Sequence, residues 1–136
     1  MTLIKVKKSV ETAKEALDKL NEALTFLKKE QDANAKTVLE DGVVKRFETL
    51  FEYCWKLLKI AAEYQGAEAP GPRPAIQEAI RFGWIKDADL WTLALDTRNA
   101  TVHDYFDSAP DNYMDIIKQF AKEAELLLKV IEKQQK

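Results

Sequence analysis

The stretch TRNATVHDYF, residues 97–106, places the chain's one histidine, His103, five residues after Arg98 and two before Tyr105, with Asn99 and Asp104 in the same run. Arginine offers a planar, permanently charged fork that matches a phosphate. Histidine, with an unperturbed pKa of about 6.5, both takes and gives a proton near neutral pH. Together they suit phosphodiester cleavage: a base removes the proton of a ribose 2′-OH, which attacks its own phosphate, while a cation stabilises the added negative charge. One histidine does half of that work, and a twofold dimer with the motif near its axis would supply a second. The structural alternative is a capping histidine paired with Asp104 at a helix C-terminus.

On a regular helix His103 lies roughly 140° around from Arg98 but only about 40° from Asn99. Asn99 is therefore the side chain able to orient the imidazole. Arg98 joins it only if the helix ends or distorts between Ala100 and His103, or if the second set of groups comes from another subunit. The β-branched Thr101 and Val102, followed closely by Asp104, Phe106 and Asp107, weaken the helix here and predict that it stops.

Other chemistries fail on inventory. A zinc site needs several His or Cys ligands and a di-iron bundle needs two Glu-x-x-His pairs, whereas the chain has one histidine and one cysteine. No phosphate-cradling GxxxxGK[ST] loop, GxGxxG turn or Gly-x-Ser-x-Gly elbow occurs, and neither a metal nor a cofactor is expected. Glu48 and Glu52 share a helix face beside Arg46 and Lys56. Such a pair can hold Mg²⁺ or do acid–base work, but on an amphipathic helix it reads first as a solvated or ion-paired edge. Trp55 and Trp91, at helical spacing, read as core rather than as base-stacking platforms, while Trp84 beside a glycine has no assigned role.

The elements that must carry these residues are helices. From Ser9, a candidate N-cap, to Glu30, apolar residues recur at three and four. The pattern resumes from Thr37 to Gln65 with Val43, Phe47, Leu50, Phe51, Cys54, Trp55 and Leu58, ended by Gly66, and Gly42 is a candidate for its true start. Residues 66–74 hold three of the four prolines and two of the four glycines, so no regular element crosses them. A short helix is predicted from Pro74 to Arg81 with Gly83 after it, a fourth capped by Asp87 and running into the motif, and a last one from near Pro110. In that last helix Tyr113, Ile117, Phe120, Ala124, Leu127 and Ile131 form a bundle seam. The expected fold is all-α, an antiparallel four-helix up-and-down bundle with an additional short helix.

Bulk composition sets the remaining limits. A chain of 136 residues, 46% hydrophobic and 32% charged, is sized for one globular domain. Its net charge of −2 offers no global attraction for a polyanion, so any RNA contact must be local or shared between subunits. The lone Cys54 sits in an apolar run and reads as a reduced core thiol. The opening MTLIKVKKSVETAKEAL lacks the apolar region of a signal peptide and no window suits a membrane span, so a cytoplasmic location away from membranes is expected.

The run R-N-x-x-x-H-x-Y, here Arg98, Asn99, His103 and Tyr105, resembles the signature of the HEPN superfamily in its HepT-like branch. The stretch RFETLFEYCWKLLK, residues 46–59, is similar to the second-helix pattern of the nucleotidyltransferase substrate-binding proteins of that branch. The resemblance spans nearly the whole chain and implies a single HEPN-like helical domain over residues 1–136, prokaryotic and cytoplasmic. It implies a homodimer encoded beside a minimal, MntA-like nucleotidyltransferase. It further implies a HepT-like toxin of a type VII toxin–antitoxin pair, a metal-independent ribonuclease whose R-x4-H-x-Y site is silenced when the transferase adenylylates its tyrosine. Arg98 would then bind and stabilise the phosphate and His103 act as base or acid. Asn99 would set the His tautomer, with Asp104 supporting, and Tyr105 would be the modification target. The other function carried by the same branch is a non-catalytic subunit of a two-component nucleotidyltransferase. There the aromatic face of the second helix and the motif cleft bind a nucleotide or the partner's surface.

Overall fold

Apolar residues spaced by three and four can be buried together only if each stretch coils into a helix and lays that stripe on its neighbours. The computed structural model describes residues 3–103 and 109–134, so Asp104 and Tyr105 of the motif lie outside the described residues. Five helices are found, with no strand among the described residues: α1 (Leu3–Lys29), α2 (Ala33–Tyr64), α3 (Pro72–Arg81), α4 (Ala88–Val102) and α5 (Tyr113–Gln134). The fold is the all-α bundle expected, with α3 as its short additional helix.

The link between α1 and α2, residues 30–32, is so short that it must reverse the chain. Arg46 Nη1 accordingly donates to the Lys19 carbonyl at 2.7 Å across the hairpin. Asp32 starts α2, its carboxylate accepting the Ala35 amide at 2.9 Å. α5 returns beside α1, with Lys14 and Glu132 paired at 2.7 Å, and α4 lies against both α2 and α5. The interior is aromatic where α2, α4 and α5 meet. Phe120 contacts Phe47 edge-on at 5.5 Å, Phe51 at 5.4 Å and Trp91 at 4.9 Å between centroids, geometries favoured by the ring quadrupoles. Cys54 is fully buried in the same helix, and burial pushes its thiol up to about 12.

Several boundaries differ from the sequence expectation for identifiable reasons. Ser9 is not a cap: α1 begins at Leu3, because Val6 continues the buried stripe one turn before Val10 and lysine is a good helix former. Gly42 does not start α2 but lies inside it, in open space where a Cβ would meet nothing within 4 Å. α3 begins at Pro72, two residues before Pro74. The chain turns after α2 at Gly66 and after α3 at Gly83, with φ of 90° and 79°, the left-handed region that glycine enters without penalty. Asp87 caps α4 as expected, accepting the Leu90 amide at 3.1 Å.

Candidate functional site

α4 stops where its side chains predict. Thr97 and Thr101 are buried, and their hydroxyls donate back to the Leu93 and Arg98 carbonyls at 2.8 and 3.3 Å, a local bonding that competes with regular helix. The last helical residue is Val102, and His103 is the C-cap, its amide reaching the Asn99 carbonyl at 3.4 Å. Arg98, five residues earlier, is turned into the bundle. Its side chain is 17% exposed, Nη1 donates to Glu52 Oε2 of α2 at 3.1 Å, and the guanidinium lies 5.4 Å from the Phe51 ring centroid. The aromatic core thus sets a platform, and the arginine is laid over it.

Glu52 is the ion-paired edge expected of it, and it is shared among three partners. Its Oε2 also accepts from Trp55 Nε1 at 3.0 Å, and Oε1 pairs with Lys56 at 3.2 Å. Burial pushes its carboxyl up, but the bonds from Trp55 and Lys56 and the charges of Lys56 and Arg98 outweigh that and hold it below the usual carboxylate range. Glu52 is an ion-paired edge, as its helix position suggests, yet one of its partners is the motif arginine. The signal available in sequence was the i, i+3 spacing of Glu52 and Trp55; the link to Arg98 spans 46 residues and leaves no local trace. Trp55 is half-buried rather than core, Trp91 is fully buried, and Trp84 is buried and stacked on Phe82 at 4.7 Å.

Beside Arg98 the α2–α4 junction opens into a cleft of ≈ 770 Å³, of a size that suits a ligand. Its lining includes Glu48, Glu52, Tyr53 and Lys56 from α2 and Arg98, Thr101 and Val102 from α4. The Nε of Arg98 is buried with no partner among the described residues. An unsatisfied buried donor costs about 1–3 kcal/mol, the kind of local strain that functional sites retain. Asn99, the residue after Arg98, and His103, five residues beyond it, are exposed at the end of α4. Among the described residues no group of three or more His, Cys, Asp or Glu is placed to hold a metal ion, and no helix is long and apolar enough to cross a membrane.

Residues 8–133 match the family described as nucleotidyltransferase substrate binding protein like. A Haemophilus influenzae protein named probable ribonuclease HepT is 30% identical over 80 residues, which make up 55% of this chain and 55% of that one. The chain therefore matches about half the length of that curated relative. A solved structure from the same species, described as the fold of a substrate binding domain of a nucleotidyltransferase, aligns with a TM-score of 0.62 over 96% of this chain and 99% of its own, at 22% identity. That likeness is one of fold. The chain belongs to the family of nucleotidyltransferase substrate binding protein like chains.

Proposed function

We propose that this member of the family is a metal-independent ribonuclease of the HEPN type, active as a homodimer and paired with a minimal nucleotidyltransferase that silences it. The observation that carries this reading is Arg98 itself. A guanidinium is held by Glu52 at 3.1 Å over the Phe51 ring, largely shielded from water, beside an open cleft and five residues before the only histidine. An arginine fixed in this way meets a phosphate without first losing side-chain freedom, and its charge is less screened than at the surface. His103, at the end of α4, takes the proton of the 2′-OH. The O2′–P bond forms and the P–O5′ bond breaks, leaving a 2′,3′-cyclic phosphate, and the departing 5′ oxygen is protonated by His103 of the partner subunit across the twofold axis. Asn99 orients the imidazole and Asp104 supports it.

Tyr105, two residues beyond His103, is the silencing point. The transferase joins the α-phosphate of a nucleoside triphosphate to the phenolic oxygen and releases pyrophosphate. The added phosphate then occupies the place of the RNA phosphate beside Arg98. A second reading, a non-catalytic subunit that presents a nucleotide to the transferase, is favoured by the family's description as substrate binding. In that case the same cleft holds the nucleotide and Arg98 its phosphate.

The test is incubation of a mixed RNA pool with the purified protein in EDTA, alongside His103→Ala, with intact mass recorded for both. Cleavage by the unmodified protein that disappears in the variant establishes the ribonuclease. An intact pool from protein whose mass carries no adenylyl group supports the binding-subunit reading instead.

A further inference from the structure

Two carboxylates of the Arg98 cleft, Glu48 and Glu52, stand one helical turn apart on α2, and the fold treats them differently. Glu52 is answered by Arg98, Lys56 and Trp55. The Glu48 side chain is half-buried and forms no hydrogen bond or ion pair with any described residue, although Lys45, three residues earlier, lines the same cleft. Helix stability does not explain it, because like charges four residues apart oppose the helix.

A phosphate on Arg98 fixes what can reach Glu48. Glu48 precedes Glu52 by four residues, about 6 Å along the axis of α2, within the span of one nucleotide from phosphate to base. A second phosphate is repelled there, since no paired cation offsets the carboxylate. A base is not, provided that it donates: a carboxylate accepts hydrogen bonds through two oxygens and gives none. Uracil presents one imino donor between two carbonyls, and cytosine and adenine each set an amino group beside a ring-nitrogen acceptor. Guanine alone places two donors side by side, N1–H and the N2 amino group, the match for a two-pronged bond to a carboxylate. Tyr53, 38% exposed, lines the same cleft and offers a ring on which that base can stack. Asp41, the remaining carboxylate of the cleft, lies about 10 Å further along α2 from Glu48, beyond the same nucleotide.

We propose that Glu48 reads the base adjoining the phosphate on Arg98 and selects guanine, with Tyr53 stacking on its ring. The inference rests on the ribonuclease reading above and names the base at which that enzyme cuts. It also explains an unpaired carboxylate in a cleft for a polyanion: the charge turns phosphate away from the place where the base belongs.

The experiment compares initial cleavage rates of the full chain, in EDTA, on uridine oligomers carrying one central guanosine, inosine, adenosine or cytidine, with cuts beside the central residue counted. The guanosine oligomer should be cut fastest. Inosine, which lacks only the N2 amino group, should be cut about tenfold more slowly, as loss of one hydrogen bond to a charged group predicts. Glu48→Gln keeps the shape but turns one acceptor into a donor that meets a donor of guanine, so the advantage of guanosine over inosine should vanish. Tyr53→Ala should slow all four oligomers alike, since stacking is tolerant of sequence, and Tyr53→Phe should retain the rates. Glu48→Gln should melt no lower than the wild type, because a like-charged pair has been relieved. If the wild type cuts all four alike or prefers another base, or if Glu48→Gln keeps guanosine ahead of inosine, the guanine subsite is wrong and the ribonuclease stands. A uniform loss across the four oligomers in Glu48→Gln makes the residue no reader of bases, and the proposal falls. Four oligomers left whole by wild-type protein without an adenylyl group overturn subsite and ribonuclease together.

Discussion

Two arginines in this molecule are built from the same three groups, a guanidinium, a carboxylate and a phenyl ring, to different ends. Arg81 makes a two-pronged pair with Glu78, both bonds at 2.9 Å, and lies 4.5 Å from the Phe82 centroid. Those residues are neighbours along α3 and its cap, and the Arg81 side chain is 61% exposed. Arg98 has the poorer bond, a single one at 3.1 Å, but its carboxylate and ring come from another helix, 46 and 47 residues away in sequence, and its side chain is 17% exposed. Bond geometry alone would rank Arg81 higher. Exposure reverses the ranking, because water and salt screen the surface pair while the inner one acts through protein. The arginine positioned by tertiary structure is the one on which the proposed phosphate contact depends.

The largest expected effect separates the two directly. Arg98→Ala should lower RNA cleavage by about 10²–10³-fold, as loss of a preorganised transition-state donor does, and Arg81→Ala should leave the rate unchanged, measured as initial rates on one RNA. Arg98→Lys should recover little, since a lysine cannot span Glu52 and a phosphate with a fork. Equal losses at the two positions would mean that the buried pair has no special role. Next in size is stability: Arg98→Ala should cost about 1–2 kcal/mol in urea unfolding, a charged hydrogen bond discounted for partial exposure, while Arg81→Ala should not move the midpoint measurably.

Glu52→Gln sharpens the same contrast. The amide oxygen can still accept from Trp55 while the charge that steadies Arg98 is gone, so cleavage should fall by about tenfold with KM rising more than kcat falls. A change confined to stability would make Glu52 structural only. The smallest effect lies in pH. The folded-state carboxyl of Glu52 is lowered from its ordinary value of 4.5. Its contribution is therefore fully present above about pH 4.5 and is lost as the pH falls through the lower folded value. The stability gap between wild type and Glu52→Gln should stay constant from neutrality down to that point and shrink below it, as urea midpoints across the range will read.

Helices were legible in the sequence wherever a buried stripe recurs at three and four residues, and so were the stops at Gly66 and Gly83 and the cap at Asp87, each a local event with a local residue type. The start of α1 was obscured because Lys5, Lys7 and Lys8 make its first turns look like a polar leader, and only burial shows Val6 to be core. Gly42 misled for the converse reason: in open space inside a 32-residue helix its cost is absorbed by the packing on either side. At the site, the end of α4 before His103 followed from Thr101 and Val102. The Glu52–Arg98 bond did not, because a pair on one helix face looks the same whether it meets water or another helix. Asp104 and Tyr105, both assigned from sequence, lie outside the described residues.

The central claim is that TRNATVHDYF cuts RNA through the ribose 2′-OH without a metal. Its most direct test is mass spectrometry of the ends left by the wild-type protein in EDTA, on an RNA and on the same strand with 2′-deoxyribose throughout. Fragments ending in 2′,3′-cyclic phosphate and 5′-OH from the RNA, with the deoxy strand left whole, are the predicted result. Cleavage of the deoxy strand, 5′-phosphate ends, or an RNA left intact by protein without an adenylyl group would contradict it.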